Sequence, residues 1–113
     1  MAIATVERRE TRCTSIYPQA LELVRAAARA HGYAIGVHGS QKRDLDLIAA
    51  PWTEEASLPG VLIAAIAQAV GGYITDATSE GEPWPRVKPH GRLCWSIHLG
   101  GGPYLDISVL PRR

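Results

Sequence analysis

Asp44 and Asp46 stand two apart in Asp44-Leu45-Asp46-Leu47-Ile48-Ala49, a run that alternates acid and apolar before it turns fully apolar. In a strand, residues two apart share a face and lie about 6.6 Å apart along the chain. The two carboxylates therefore sit side by side, while Leu45 and Leu47 turn to the other face. Like charges at that spacing repel, and strands disfavour aspartate to begin with. A divalent cation between them removes the conflict and takes hard oxygen ligands. The alternative for an isolated Asp-x-Asp is a solvated strand face, with Arg43 as counter-charge. Asp106 offers a third carboxylate, in Tyr104-Leu105-Asp106-Ile107-Ser108-Val109. Its neighbours at 105, 107 and 109 are apolar, so Asp106 projects from the face opposite the core. If its strand lies beside the first, three acids meet as a two-metal phosphoryl-transfer site requires. That reading needs Asp106 turned toward the pair and not anchored by a guanidinium.

Other candidates surround the acids. Gly39-Ser40 precedes them, and a glycine there lets backbone approach a phosphate while the serine donates hydrogen bonds. The same pair also makes an ordinary turn. Lys42 and Arg43 could neutralise a departing pyrophosphate. His38 and His98 fall on the non-core side of their strands, as second partners of the acids or as hydrogen-bonded surface residues. Lys88, His90 and Arg92 suit a phosphate or a solvated loop. Trp52 and Trp84 could stack a base or cover a core edge. Cys13 and Cys94 match no zinc spacing and make a poor disulfide framework, which fits a reducing cytoplasm. No G-x-S-x-G turn is present, which argues against an α/β-hydrolase.

The elements that must hold these groups are legible from periodicity. Residues 1–15 show no sustained pattern and are expected to be a flexible N-terminal segment. Residues 16–113 form a single domain, in keeping with a length of 113 residues. Pro18 suits a first helical turn, and Leu21, Val24, Ala28 and His31 share a stripe, predicting a helix over about 17–31 that Gly32 ends. Tyr33, Ile35 and Val37 alternate with smaller or polar residues as a strand. A turn over 39–43 leads to a second strand from Asp44 to Ala49, closed by Pro51. A helix from about Leu58 to Val70 has Gln68 as its one clearly polar side chain after Pro59, and should be buried on most sides. A short strand over Tyr73–Thr75 follows, then a Pro-rich loop from Ser79 to Gly91. Two final strands, about Leu93–Leu99 and Leu105–Val109, are joined by Gly100-Gly101-Gly102-Pro103. The expected fold class is α+β, a small mixed sheet with two main helices packed on it, in the order α-β-β-α-β-β-β.

Composition narrows the function. The formal net charge is +1, without the basic footprint of a chain whose main partner is nucleic acid. An apolar fraction of 46% fits a globular chain. The apolar stretch around Val61–Val70 is too short to span a bilayer, so no membrane partner is expected. The N-terminus has no signal-peptide core, and a cytoplasmic location follows.

His38-Gly39-Ser40 followed by Asp44-Leu45-Asp46-Leu47, with the later Leu105-Asp106-Ile107, resembles the polymerase-beta-type nucleotidyltransferase superfamily. That signature is a hydrophobic residue, Gly-Ser, a spacer, Asp-x-Asp in a strand and a third acid on a later strand. Pro51-Trp52, Pro89-His90-Gly91-Arg92 and Gly101-Gly102-Pro103-Tyr104 extend the likeness to small phage-encoded proteins, whose location would be the host cytoplasm. The resemblance spans roughly residues 17–111. It implies Mg2+ or Mn2+ held by Asp44, Asp46 and Asp106, and a nucleoside triphosphate gripped at Gly39 and Ser40, with Lys42 and Arg43 beside it. The spacer holds only Gln41, Lys42 and Arg43, shorter than the family's, which contains a short helix. That shortening removes phosphate-binding surface, and the chain has no room for a separate acceptor domain. Two expectations follow. One is a magnesium-dependent nucleotidyltransferase acting on an unknown acceptor, completed by a protein partner or a second copy. The other is a catalytically inactive module of the same fold that captures a nucleotide or host protein, as a phage accessory or counter-defence factor.

Overall fold

The computed structural model describes residues 17–39, 44–74 and 85–112. The N-terminal segment, Cys13, Ser40, Lys42, Arg43, Thr75 and Trp84 lie outside them. The first helix, α1, covers residues 17–30. Its buried stripe is Tyr17, Ala20, Val24 and Ala28, spaced three and four apart as a single core-facing helical face requires. Leu21 and His31, expected on that stripe, are only half-buried. His31 lies just past the helix, where its Nδ1 meets Ser57 Oγ at 2.9 Å.

Strands β1 (Tyr33–His38) and β2 (Asp44–Pro51) pair antiparallel, with His38 opposite Asp46. Helix α2 (Pro59–Val70) follows. Proline at its first position loses nothing there, because that N–H has no helical partner. Gly71 ends it in the left-handed region at φ 68°, and Gly72 N–H donates to Ala67 O at 2.9 Å, the reverse turn that satisfies terminal carbonyls. Leu62, Ile63, Ile66 and Ala67 are buried, while Val61 is half-exposed. The helix is therefore one-sided rather than buried on most sides, because it packs on the sheet along a single stripe.

Strand β3 (Tyr73–Ile74) is short, and β5 (Arg92–His98) and β6 (Tyr104–Val109) form the expected closing pair. One strand was not expected. Arg86–Lys88 forms β4, antiparallel to β5, inside the segment assigned to a Pro-rich loop. Pro85 and Pro89 flank these residues without interrupting them, and an edge strand tolerates prolines at its ends.

The result is a six-stranded mixed sheet in the order β1-β2-β6-β5-β3, with β4 also on β5. β2 and β6 run parallel at its centre and the other pairs are antiparallel. Both helices pack on one face, against Leu45, Leu47, Trp95, Ile97, Leu105 and Ile107. The fold is thus α+β with two helices on a mixed sheet. Among the described residues no helix is long and apolar enough to cross a membrane.

Candidate metal centre

Strand alternation sends the polar partners of those core residues to the opposite face, where register sorts them into rows. One cross-strand row reads His38, Asp46, Asp106 and Ser96. The next reads Asp44, Tyr104, His98 and Tyr73. A third carries Ile48, Ser108, Cys94 and Arg86. The adjacency of β2 and β6 is what brings Asp106 to the pair. One ligand atom from each of Asp44, Asp46 and Asp106 lies within 4.8 Å of the others, and all three residues are half-buried.

Crowding shows in the acidity of Asp46. Partial burial pushes the Asp46 carboxyl above its ordinary value, and the Asp44 charge, a hydrogen bond with Asp44 and the Asp106 charge add to the rise. The neighbouring His38 opposes it, favouring the ionised form. Three carboxylate oxygens gathered in this way could hold a hard divalent cation.

Gly39 borders the cluster. Its φ is +79°, and a Cβ built on it would collide with Asp46 Oδ2. Any other residue there would be strained and would press on the Asp46 carboxylate. Tyr104 stands directly across from Asp44. Burial first, then the charges of all three acids, push its phenol upward. His98 stacks between Tyr73 and Tyr104, with ring centroids 5.4 and 5.3 Å away. It belongs to an aromatic ladder rather than to the acid cluster.

The cluster is not purely acidic. Arg86 Nη2 donates to Asp106 Oδ1 at 3.0 Å, to Ser96 Oγ at 2.8 Å and to Cys94 Sγ at 3.4 Å. Cys94 Sγ also donates to Asp106 Oδ1, at 2.9 Å. Sequence reasoning missed this arginine because β4 was read as loop. Both donors converge on one oxygen, so the carboxylate of Asp106 keeps a second. Asp106 is therefore anchored by a guanidinium, and the condition set above for a two-metal phosphoryl-transfer site is not met; what the structure brings together is three acids with an arginine on the third. A signal was present in the small residues Cys94, Ser96 and Ser108, which leave space above β5 and β6 for a long side chain.

The other candidates lie elsewhere. Arg92 donates to Pro89 O at 3.1 Å and to Ser108 Oγ at 3.5 Å. Lys88 and His90 are exposed beside it, at the end of the sheet away from Asp44. Trp52 is 80% exposed and lines grooves with Arg25 and Arg29 on one side and Arg112 on the other. No protein-family model matches the chain, and a search of curated proteins finds no match.

Proposed function

We propose that this chain is a nucleotidyltransferase-like protein in which Asp44 and Asp46, with Asp106 beside them, hold a divalent cation, Mg2+ or Mn2+, and bind a nucleoside triphosphate; transfer of the nucleotidyl group to an acceptor hydroxyl would require Asp106 to be released from Arg86. The observation that carries the reading is the approach of Asp44, Asp46 and Asp106 to within 4.8 Å, across two strands sixty residues apart in sequence. When bound, the ion supplies positive charge against the phosphate oxygens and acidifies the attacking hydroxyl. Asp44 and Asp46 would be its main ligands, and Asp106, once free of Arg86, would help activate the acceptor. Gly39 keeps backbone close to the phosphates, with Ser40, Lys42 and Arg43 following it in the chain. The mixed sheet with both helices on one face would be a reduced version of that superfamily's fold.

A second reading is supported by two observations, the three-residue spacer between Ser40 and Asp44 and the Arg86 contact on Asp106. In it the same site binds a nucleotide or a protein without turnover. Thermal melts with Mg2+ or Mn2+ and each nucleoside triphosphate test what both readings share. Stabilisation by metal plus nucleotide, lost in Asp46→Asn, is the expected result. Pyrophosphate release with a broad acceptor panel then separates them. Release favours transfer, and its absence with every nucleotide favours capture.

A further inference from the structure

Strand β1 lies at the end of the sheet, and among the described residues no strand pairs with its outer edge. Its register fixes what that edge offers. Leu110 N–H donates to Ala49 O at 2.9 Å, so Ala49 turns its backbone toward β6 and away from β1. Ile35 stands opposite Ala49, and in an antiparallel ladder its own N–H and C=O then point outward. Tyr33 and Val37 do the same by alternation. The bond from Trp52 N–H to Gly32 O, 2.7 Å, agrees with that phase. Natural edges are commonly blunted by lysine, proline or a bulge. From Tyr33 to Val37 there is no lysine or proline, and the register with β2 is unbroken.

The groove shared by Arg25, Arg29, Tyr33, Ala34, Ile35 and Trp52 follows this edge. Ala34 and Ile35 turn to opposite faces of the sheet, so the groove wraps the edge itself. Arg25 and Arg29 are exposed one helical turn apart on α1, and Trp52 stands beside Gly32 at the Tyr33 end. Both charged groups in the groove are positive. A second copy pairing through β1 would line two sets of guanidinium groups along one seam, and like charges there oppose association. A nucleic acid strand could use the arginines and the indole, but it would leave the backbone row idle on a chain of net charge +1. The geometry points to β1 as a docking edge for an extended acidic peptide segment of a partner protein. That segment adds a strand along Tyr33, Ile35 and Val37, and its side chains opposite them share their face, the side of α1. Carboxylates at those alternate positions meet Arg25 and Arg29, and an apolar side chain between them rests on Trp52. This inference does not depend on the acids binding a cation.

The test is heteronuclear NMR of the full chain, titrated with a short end-blocked peptide that alternates glutamate and valine. Amide shifts are expected along β1 and at the Trp52 indole. The same peptide with lysine in place of glutamate should leave them unmoved. Arg25→Gln combined with Arg29→Gln, both at exposed helix positions, should weaken binding about tenfold, the scale of two exposed ion pairs. N-methylating one alternate set of peptide amides should abolish binding, and methylating the other set should not, because one set faces β1. No shift at millimolar peptide, equal binding of the lysine peptide, or indifference to backbone methylation overturns the proposal. Shifts of β1 that grow with protein concentration alone would assign the edge to a second copy. A thymidine oligonucleotide that moves Trp52 when the peptide does not would assign the groove to nucleic acid. Either result overturns the proposal as well.

Discussion

Asp46 concentrates the electrostatic cost of the site. Its carboxyl holds a proton more tightly in the folded chain than in the unfolded one, through burial and the charges of Asp44 and Asp106. A raised folded value favours folding fully below the unfolded carboxylate range near about 3.9, and that contribution is lost as pH rises through the folded value. Asp46→Asn should therefore stabilise the metal-free protein at pH 7 by about 0.5–1 kcal/mol, the usual scale for facing like charges. Its difference from the unaltered chain should shrink at pH 4. Urea denaturation in a chelator measures both, and a destabilised variant at pH 7 would contradict the argument. Gly39→Ala should cost about 1–2 kcal/mol from its left-handed backbone and weaken Mn2+ binding, since the new Cβ meets an Asp46 oxygen. Cys94 behaves in the opposite way to a reactive thiol. Burial, and a hydrogen bond to Asp106, push its pKa up, so in a Cys13→Ser background it should resist a disulfide reagent at pH 8 until the chain unfolds.

At the scale of elements, the site depends on the central parallel pair. β2 and β6 are held in register by their core face, where Leu45, Leu47, Leu105 and Ile107 are at most 1% exposed. A slip of one residue would turn every acid to the helices. Ile107→Ala should cost about 2–5 kcal/mol by opening a cavity under the site, and should weaken metal binding with it. A chemical denaturation curve reads the first effect and a Mn2+ titration the second. β4 matters for a different reason. It has three residues, all exposed, so little apolar burial holds it, and Arg86 supplies a polar tether to β5 and β6. Amide exchange should show β4 opening more readily in Arg86→Ala than in the unaltered chain.

For the whole molecule, the division of faces sets the function it can have. Both helices and the apolar rows occupy one side of the sheet, and among the described residues the three acids and Arg86 come together on the other. A cation that binds the folded chain and not the unfolded one must stabilise it by mass action, by roughly 2.7 kcal/mol at a hundredfold excess over its dissociation constant. Melting temperature should rise with Mn2+, fall back with chelator, and stay unresponsive in Asp46→Asn. An equal rise in that variant would place the ion elsewhere.

The amino-acid order by itself determined the two helices, the β1–β2 pair, the closing strands and the faces to which Asp44, Asp46 and Asp106 turn. These follow from side-chain periods of 3.6 and 2 and from glycine and proline positions, which act over a few residues. Pairing β2 with β6 was decided only by the tertiary structure, because strand adjacency depends on how distant apolar faces bury one another. The same holds for Arg86: three residues between prolines carry no readable period, and become a strand only because β5 offers an edge. Its guanidinium met Asp106 through that pairing, twenty positions apart in a stretch that no local pattern connects.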